Sequence, residues 1–428
     1  MFVSLTNGTD NRTCGRRRTP CKHLQYALQQ HTTGHTFYVD GGIKVQLVYN
    51  FNTTINIAGD LRILRWPING SYYPILTSAL PGAALLEFDD KQNTRNCLFL
   101  EISFMKTDIA NFVNSGSIHF DECRILNGSR LIGDIASAVT ADVTVLNSMI
   151  ERSSMIYTPS EILIRISILI QNSSLNNVTL QMYGINSKLN VQNSTFNESD
   201  FGVYPLDACD FHYVGNYCDI SLYFNRFTSA SGIPVVQIKK VSKVKIVGNI
   251  FDGVNLFVDN VPEMRITDSK FLNSKSAAIQ VYTVGKFVFE SCLVADNREE
   301  IGTLTIFNVS EALISNCIFM NNRAAFGGAV RNIESNVRIT DSVFKDNQAT
   351  ISGGTIHSSG INGYISLRNV LVSGSAAYKR VLGRLVYCET VIHTENVSLI
   401  AHNNTETSPI FIYRWPRYKY GHLHSKWN

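Results

Sequence analysis

The sequence predicts an all-β solenoid of about 12–15 stacked coils behind a short N-terminal helix. Three observations predict it. First, from residue 118 onward one pattern recurs: apolar, any, apolar, any, polar, small polar, any, apolar. Its copies begin at Ile118, Val143, Ile168, Leu189, Ile220, Val244, Met264, Phe287, Ala312, Val337, Ile365 and Ile392. Second, the unit averages about 25 residues, with gaps of 20 to 31. A unit that short cannot bury an apolar face alone and must stack on its neighbours. Third, Val, Ile and Phe fill the apolar columns, and these suit a pleated buried surface better than a helix.

Within each copy the alternation reads as a strand with two residues facing in. The polar pair that follows reads as a bend, and the chain re-enters on the last apolar position, the column from Ile125 to Leu399. Two residues before that position most copies place a small or polar residue, among them Cys123, Ser148, Ser173, Asn249, Ser269, Cys292, Cys317 and Ser342. Strands of successive copies are then parallel and about 4.8 Å apart. Leucine-rich repeats share the period, but they need leucine in most columns and again three residues upstream. Here those upstream positions include Ser115, Thr140, Arg165, Asn186 and Glu334. A three-sided parallel β-helix needs no leucine and accepts long corner turns. The expected organisation is a cap over residues 1–40, a β-helix over 41–400 and a tail over 401–428. The cap contains a helix over about residues 21–30, opened by Pro20 and presenting Leu24, Ala27 and Leu28 on one face.

The composition agrees. Of 428 residues, 44% are hydrophobic and 17% charged, which excludes intrinsic disorder. A net charge of +4 is too balanced to argue for nucleic-acid binding. No segment is apolar for long enough to span a membrane as a helix; Ile162–Ile170 is short and contains Arg165. The compartment signals point outside the cell, with a leader lying beyond this chain. Twelve Asn-x-Ser/Thr sequons are candidate glycosylation sites: Asn7, Asn11, Asn52, Asn69, Asn127, Asn172, Asn177, Asn193, Asn197, Asn308, Asn396 and Asn403. Among nine cysteines, Cys14/Cys21 and Cys209/Cys218 would close small loops. Cys292 and Cys317 share a column in adjacent copies, at a spacing that suits either a disulfide or an interior thiol pair.

Two stretches carry a family resemblance. Phe319-Met320-Asn321-Asn322 followed by Gly327-Gly328-Ala329-Val330, and Phe344-Lys345-Asp346-Asn347 followed by Gly353-Gly354-Thr355-Ile356, resemble the FxxN and GGA(I/L/V) repeats of chlamydial polymorphic outer-membrane proteins. Similar motifs occur in eukaryotic right-handed parallel β-helix proteins of the pectin-lyase-like superfamily. The opening, Gly8-Thr9-Asp10, Cys14-Gly15 and Pro20-Cys21 through Tyr38-Val39-Asp40-Gly41-Gly42, is similar to that group, whose members often begin with a helix that plugs the β-helix. The resemblance implies a right-handed parallel β-helix.

That superfamily includes many enzymes, yet their motif sets are missing. Asp89-Asp90 stands without the Gly-His-Gly and Arg-Ile-Lys that accompany paired aspartates in polygalacturonases, and reads as a turn. Arg65-Trp66-Pro67 and Arg414-Trp415-Pro416 lack the second arginine of the pectate lyase motif, and no acidic column runs down the repeat to hold Ca²⁺. His422 and His424 lack a third zinc ligand. No cofactor or metal is expected. Lys243, Lys245 and Arg265, in and beside the densest basic run, are candidate contacts for an acidic glycan. The expectation is a non-catalytic extracellular or cell-surface scaffold that recognises a protein or glycan ligand. The alternative is a polysaccharide lyase or glycoside hydrolase with an unrecognised active site.

Overall fold

The computed structural model describes residues 1–30, 35–42, 46–57, 59–66, 72–79, 84–88, 95–113, 115–135, 140–156, 165–182, 187–203, 218–231, 235–276, 278–298, 300–360, 362–377, 386–401, 410–412 and 423–427. Backbone contacts divide the chain into two compact units, Met1–Asp219 and Ile220–Asn428. Both are parallel β-solenoids, with about 12 turns in all.

In the first unit every turn contributes a strand to each of three sheets. The first sheet runs from His35–Asp40 through Leu61–Trp66, Arg95–Leu100, Gly116–Asp121 and Thr140–Leu146 to Lys188–Gln192. The second includes Ile75–Ser78, Ser103–Met105, Arg124–Leu126, Met149–Glu151 and Ser174–Asn176. The third includes Ala84–Phe88, Asp108–Phe112, Arg130–Ile135 and Thr179–Met182.

The second unit repeats the plan. Its first sheet includes Lys243–Val247, Glu311–Ser315 and Asn336–Thr340. Its third includes Val235–Lys239, Leu304–Phe307, Val330–Ile333, Ile356–Ser359 and Val386–Cys388. Asn255–Thr267 and Ile279–Glu290 are long strands that pair as third sheet at their start and as first sheet at their end. Three strands per turn, with one helix among the described residues, exclude a leucine-rich horseshoe.

The predicted columns are register columns. Ile118 pairs with Val143, Val143 with Ile168 and Ile168 with Leu189. In the second unit Val244, Met264, Phe287, Ala312, Val337, Ile365 and Ile392 pair in succession. All of these are buried. The polar residue that opens each bend takes a left-handed backbone, as at Asn147 (φ 48°), Asn172 (51°), Asp268 (52°), Asn316 (53°) and Asp341 (51°). Asn and Asp tolerate that region better than other side-chain-bearing residues, which explains their recurrence. The next residue then turns inward and satisfies the backbone. Ser148 Oγ accepts from the Cys123 N–H at 3.0 Å, Ser173 Oγ from Ser148 and Ser194 Oγ from Ser173.

At the following corner of the second unit the inward residues form an asparagine ladder, Asn297–Asn322–Asn347, all fully buried. Asn322 Nδ2 donates to Asn347 Oδ1 at 3.0 Å and to the Val294 carbonyl at 2.9 Å. Asn297 donates to Asn322 Oδ1 from both its backbone N–H (3.2 Å) and its Nδ2 (2.9 Å). The two glycine pairs have a steric cause. Gly327 and Gly353 sit at φ 58° and 61°, and a Cβ on Gly328 would lie 2.2 Å from the Gly354 carbonyl oxygen. Below the ladder, Phe227, Phe251 and Phe271 stack with centroids 4.9 and 4.7 Å apart and planes 3° from parallel.

The expected short N-terminal helix is present and starts three residues later than the sequence suggested. The helix spans Leu24–Gln30 and buries Leu24, Ala27 and Leu28. Asp10 accepts the backbone N–H groups of Lys22 and His23 at its entrance, and Cys14 is bonded to Cys21. Strand Phe2–Val3 pairs with Tyr38 and Val39. Of the alternatives for Cys292 and Cys317 the structure has thiols, donating to the carbonyls of Glu290 and Ser315. A side chain at this position points down at the backbone of its own bend, so each sulfur finds an acceptor there. Cys218 is buried, and Cys209 lies outside the described residues. Strands are also found within 401–428, at Ile410–Ile412 and Leu423–Trp427.

Candidate functional site

The ten sequon asparagines within the described residues are all exposed, and six of them, Asn127, Asn172, Asn177, Asn193, Asn308 and Asn396, stand at left-handed corners. Asn69 and Asn403 lie outside the described residues, as do Asp89-Asp90 and Arg414-Trp415-Pro416.

The basic residues singled out from the sequence do not form a free cationic surface. Lys243 Nζ lies 3.1 Å from Glu263, its register neighbour one turn on, and Arg265 lies 2.7 Å from Glu290. Lys245 sits over the Tyr223 ring, 5.2 Å from its centroid. Each of the two paired cations is cancelled by a carboxylate that stacking places beside it, a relation that only the register reveals.

The outward face of the third sheet in the second unit is different in kind. One outward column reads Gln237, Phe257, Gln280, Thr305, Arg331, His357 and Tyr387, each paired with the next. The column beside it contains Asp259, Tyr282 and Phe307. The rings of Phe257, Tyr282 and Phe307 climb across the two columns with centroids 5.4 and 5.6 Å apart. All three are half-buried on the outside of the sheet, where a solvated strand would show polar groups. Lys239 covers the Phe257 ring at 5.1 Å. A groove of about 490 Å³ opens beside them, lined by Gln237, Asn255, Phe257, Lys275, Gln280 and Glu300. Amides, charges and one aromatic wall converge there, the mixture expected of a pocket for a polar ligand with an apolar face.

Further along, Phe326 meets His357 edge-on and His357 stacks on Tyr387, with centroids 5.2 and 4.8 Å apart. His357 Nδ1 shares a 2.7 Å hydrogen bond with Ser352 Oγ, and the Tyr387 hydroxyl donates to Glu389 at 2.5 Å. Burial, and then the Arg331 charge, push the His357 imidazole down to about 4. The unfolded chain titrates near 6.5, so the unfolded chain takes up this proton first as the pH falls. The stability held by neutral His357 is complete above about pH 6.5 and is lost towards pH 4, on the order of 3 kcal/mol. Thermal melts at pH 7 and pH 4.5 check this: His357→Gln should lose distinctly less stability on acidification. Equal losses would remove His357 as the cause.

The first unit holds a carboxyl pair that sequence reading missed. Glu101 and Glu122 open successive bends (φ 57° and 49°), and their carboxyls are close enough to act on one another. Burial pushes the Glu101 carboxyl above its ordinary value; Arg65, 2.8 Å away, pulls it down, and Glu122 pushes it up. Arg65 and Arg124 lie over the Tyr73 ring at 4.8 and 4.4 Å. The two glutamates are 21 positions apart and only the stacking joins them.

The chain is a right-handed parallel β-solenoid, and its residues 252–405 match the family described as "Right handed beta helix region". No curated protein matches the chain. Among solved structures, a rhamnogalacturonan lyase is 11% identical, covering 91% of this chain and 86% of its own, at a TM-score of 0.25. A GH136 lacto-N-biosidase from Eubacterium ramulus is 9% identical over 96% of this chain and 67% of its own, at 0.21. The catalytic domain of a GH87 α-1,3-glucanase is 10% identical over 95% and 67%, at 0.23. Likenesses this distant carry no argument about function.

Proposed function

We propose that the chain is an extracellular binding scaffold that holds an extended saccharide against the third sheet of its second unit. The observation that carries this reading is the outward ladder Phe257–Tyr282–Phe307 beside an amide-lined groove. A pyranose ring has an apolar face that packs on an aromatic ring and a rim of hydroxyls that amides and charges satisfy. Stacked turns offer such contacts repeatedly, at about 4.8 Å intervals. The exposure of the ten described sequon asparagines supports a secreted or surface location. A hydrolase is the second reading, favoured by the Glu101–Glu122 pair, in which a half-buried acid stands beside a second, exposed carboxyl.

One experiment separates the two. The protein is titrated with neutral and acidic polysaccharides while new reducing ends and unsaturated products are followed. Binding without turnover is expected, weakened about 5- to 10-fold by Phe257→Ala or Tyr282→Ala. Turnover that disappears in Glu101→Gln would replace this reading with the hydrolase.

A further inference from the structure

Arg331, in the outward column of the second unit's third sheet, is a cation without a counter-charge. It is half-buried, forms no ion pair among the described residues, and its Nε is buried with no acceptor. Its guanidinium lies over the Phe326 ring, 4.9 Å from the centroid. Its register neighbours Thr305 and His357 are neutral. Three other cations of this unit, Arg226, Lys243 and Arg265, each meet a carboxylate one turn away. Withdrawing a guanidinium from water without an anion costs stability, and among the described residues Arg331 has the Phe326 ring beside it but no carboxylate.

We propose that Arg331 is the residue through which this face reads charge, taking one carboxylate or sulfate group carried by an otherwise neutral saccharide. The proposal rests on the saccharide-binding reading above and deepens it. A planar guanidinium fits either anion with two parallel hydrogen bonds, and a wall of Phe326 keeps it fixed in orientation. A single anionic group follows from the rest of the face. The half-buried outward positions before Arg331, Phe257 and Gln280, carry no charge, and Thr305 between Gln280 and Arg331 is buried. The face's other cations stand with carboxylates: Lys239 has Asp259 as its register neighbour, Lys275 and Glu300 line the same groove, and Glu389 lies beside Tyr387. A uniformly charged polymer would run its remaining anions against these carboxylates, whereas a neutral chain with one acidic residue would not.

The test uses the full chain and oligosaccharides built on one neutral backbone: unmodified, with one carboxylate, and with one sulfate. A homopolymeric uronate and a fully sulfated glycan complete the set. One of the mono-acidic compounds should bind at least 10-fold tighter than its neutral twin, and the arm that gains identifies the anion. Arg331→Gln should abolish that gain, so that acidic and neutral twins bind the variant alike, and Arg331→Lys should keep part of it. The proposal is overturned if acidic and neutral twins bind alike, if the gain survives in Arg331→Gln, or if the polyanions bind tightest. Failure of every saccharide to bind overturns the binding reading itself, and this inference with it.

Discussion

Replacing Asn322 by leucine lowers the stability of the second unit by about 3–5 kcal/mol. The side chain is fully buried and stands between two like residues, so its loss is felt on both sides, Asn347 Oδ1 losing one donor. The Asn297 backbone N–H and the Asn297 amide both lose their acceptor, and the Val294 carbonyl loses a donor. Each orphaned buried group costs about 1–3 kcal/mol, somewhat less where water can enter. Leucine cannot recover the loss by packing, because the site is shaped for a flat amide held between turns. Serine should cost less, since its hydroxyl still accepts from a backbone N–H, as Ser375 at the end of the ladder does from Asn347. Chemical denaturation gives the total, and amide exchange at Asn297 gives its location. A leucine variant within about 1 kcal/mol of the parent would show that water or relaxation satisfies those groups.

Phe251→Ala carries the second large effect, about 3–5 kcal/mol. Phe251 is fully buried between Phe227 and Phe271, with rings nearly parallel on both sides. The cost of a large-to-small change depends on how far the surroundings can collapse. Here they cannot move along the stack, because backbone hydrogen bonds of the parallel sheet hold the neighbouring turns at fixed spacing. The cavity therefore persists. Phe251→Leu fills most of the space and should cost under about 1.5 kcal/mol. The same denaturation series checks both, and near-ultraviolet dichroism reports the loss of the stacked rings. An alanine variant no weaker than the leucine one would mean that the turns do close on the gap.

The coils were legible because stacking imposes the same chemical demand at the same position of every turn. Inward apolar columns, a residue that tolerates a left-handed bend and a small polar side chain to close it recur wherever the demand recurs. The turns before residue 118 follow the same plan but break the pattern where it was sought. In the turn Cys97-Leu98-Phe99-Leu100-Glu101-Ile102-Ser103-Phe104, buried Ile102 stands where the later copies have a small polar residue. Asn297 escaped the FxxN motif because Val294 stands where phenylalanine does in the next two turns. The candidate site was far less legible. A single arginine in a strand looks like a solvated face, and only the register places Arg331 beside His357, in a column that contains no carboxylate. Lys243 and Arg265 drew attention as a basic cluster for the opposite reason, since their partners Glu263 and Glu290 are 20 and 25 residues away in sequence. Electrostatic cancellation is a property of neighbours in space, and periodicity finds columns without telling which outward residues meet.

The N-terminal cap has a consequence for how copies of this chain behave at high concentration. A stack of parallel strands offers its terminal edge as a template on which another molecule can grow. The edge of His35–Asp40 is not offered in this way, because Phe2 and Val3 already occupy it beside Tyr38 and Val39, and the tethered Cys14–Cys21 loop joins them at Val3. The opening segment thus acts as a chain terminator at that edge: Phe2 and Val3 hold positions that the strand of a second molecule would otherwise take.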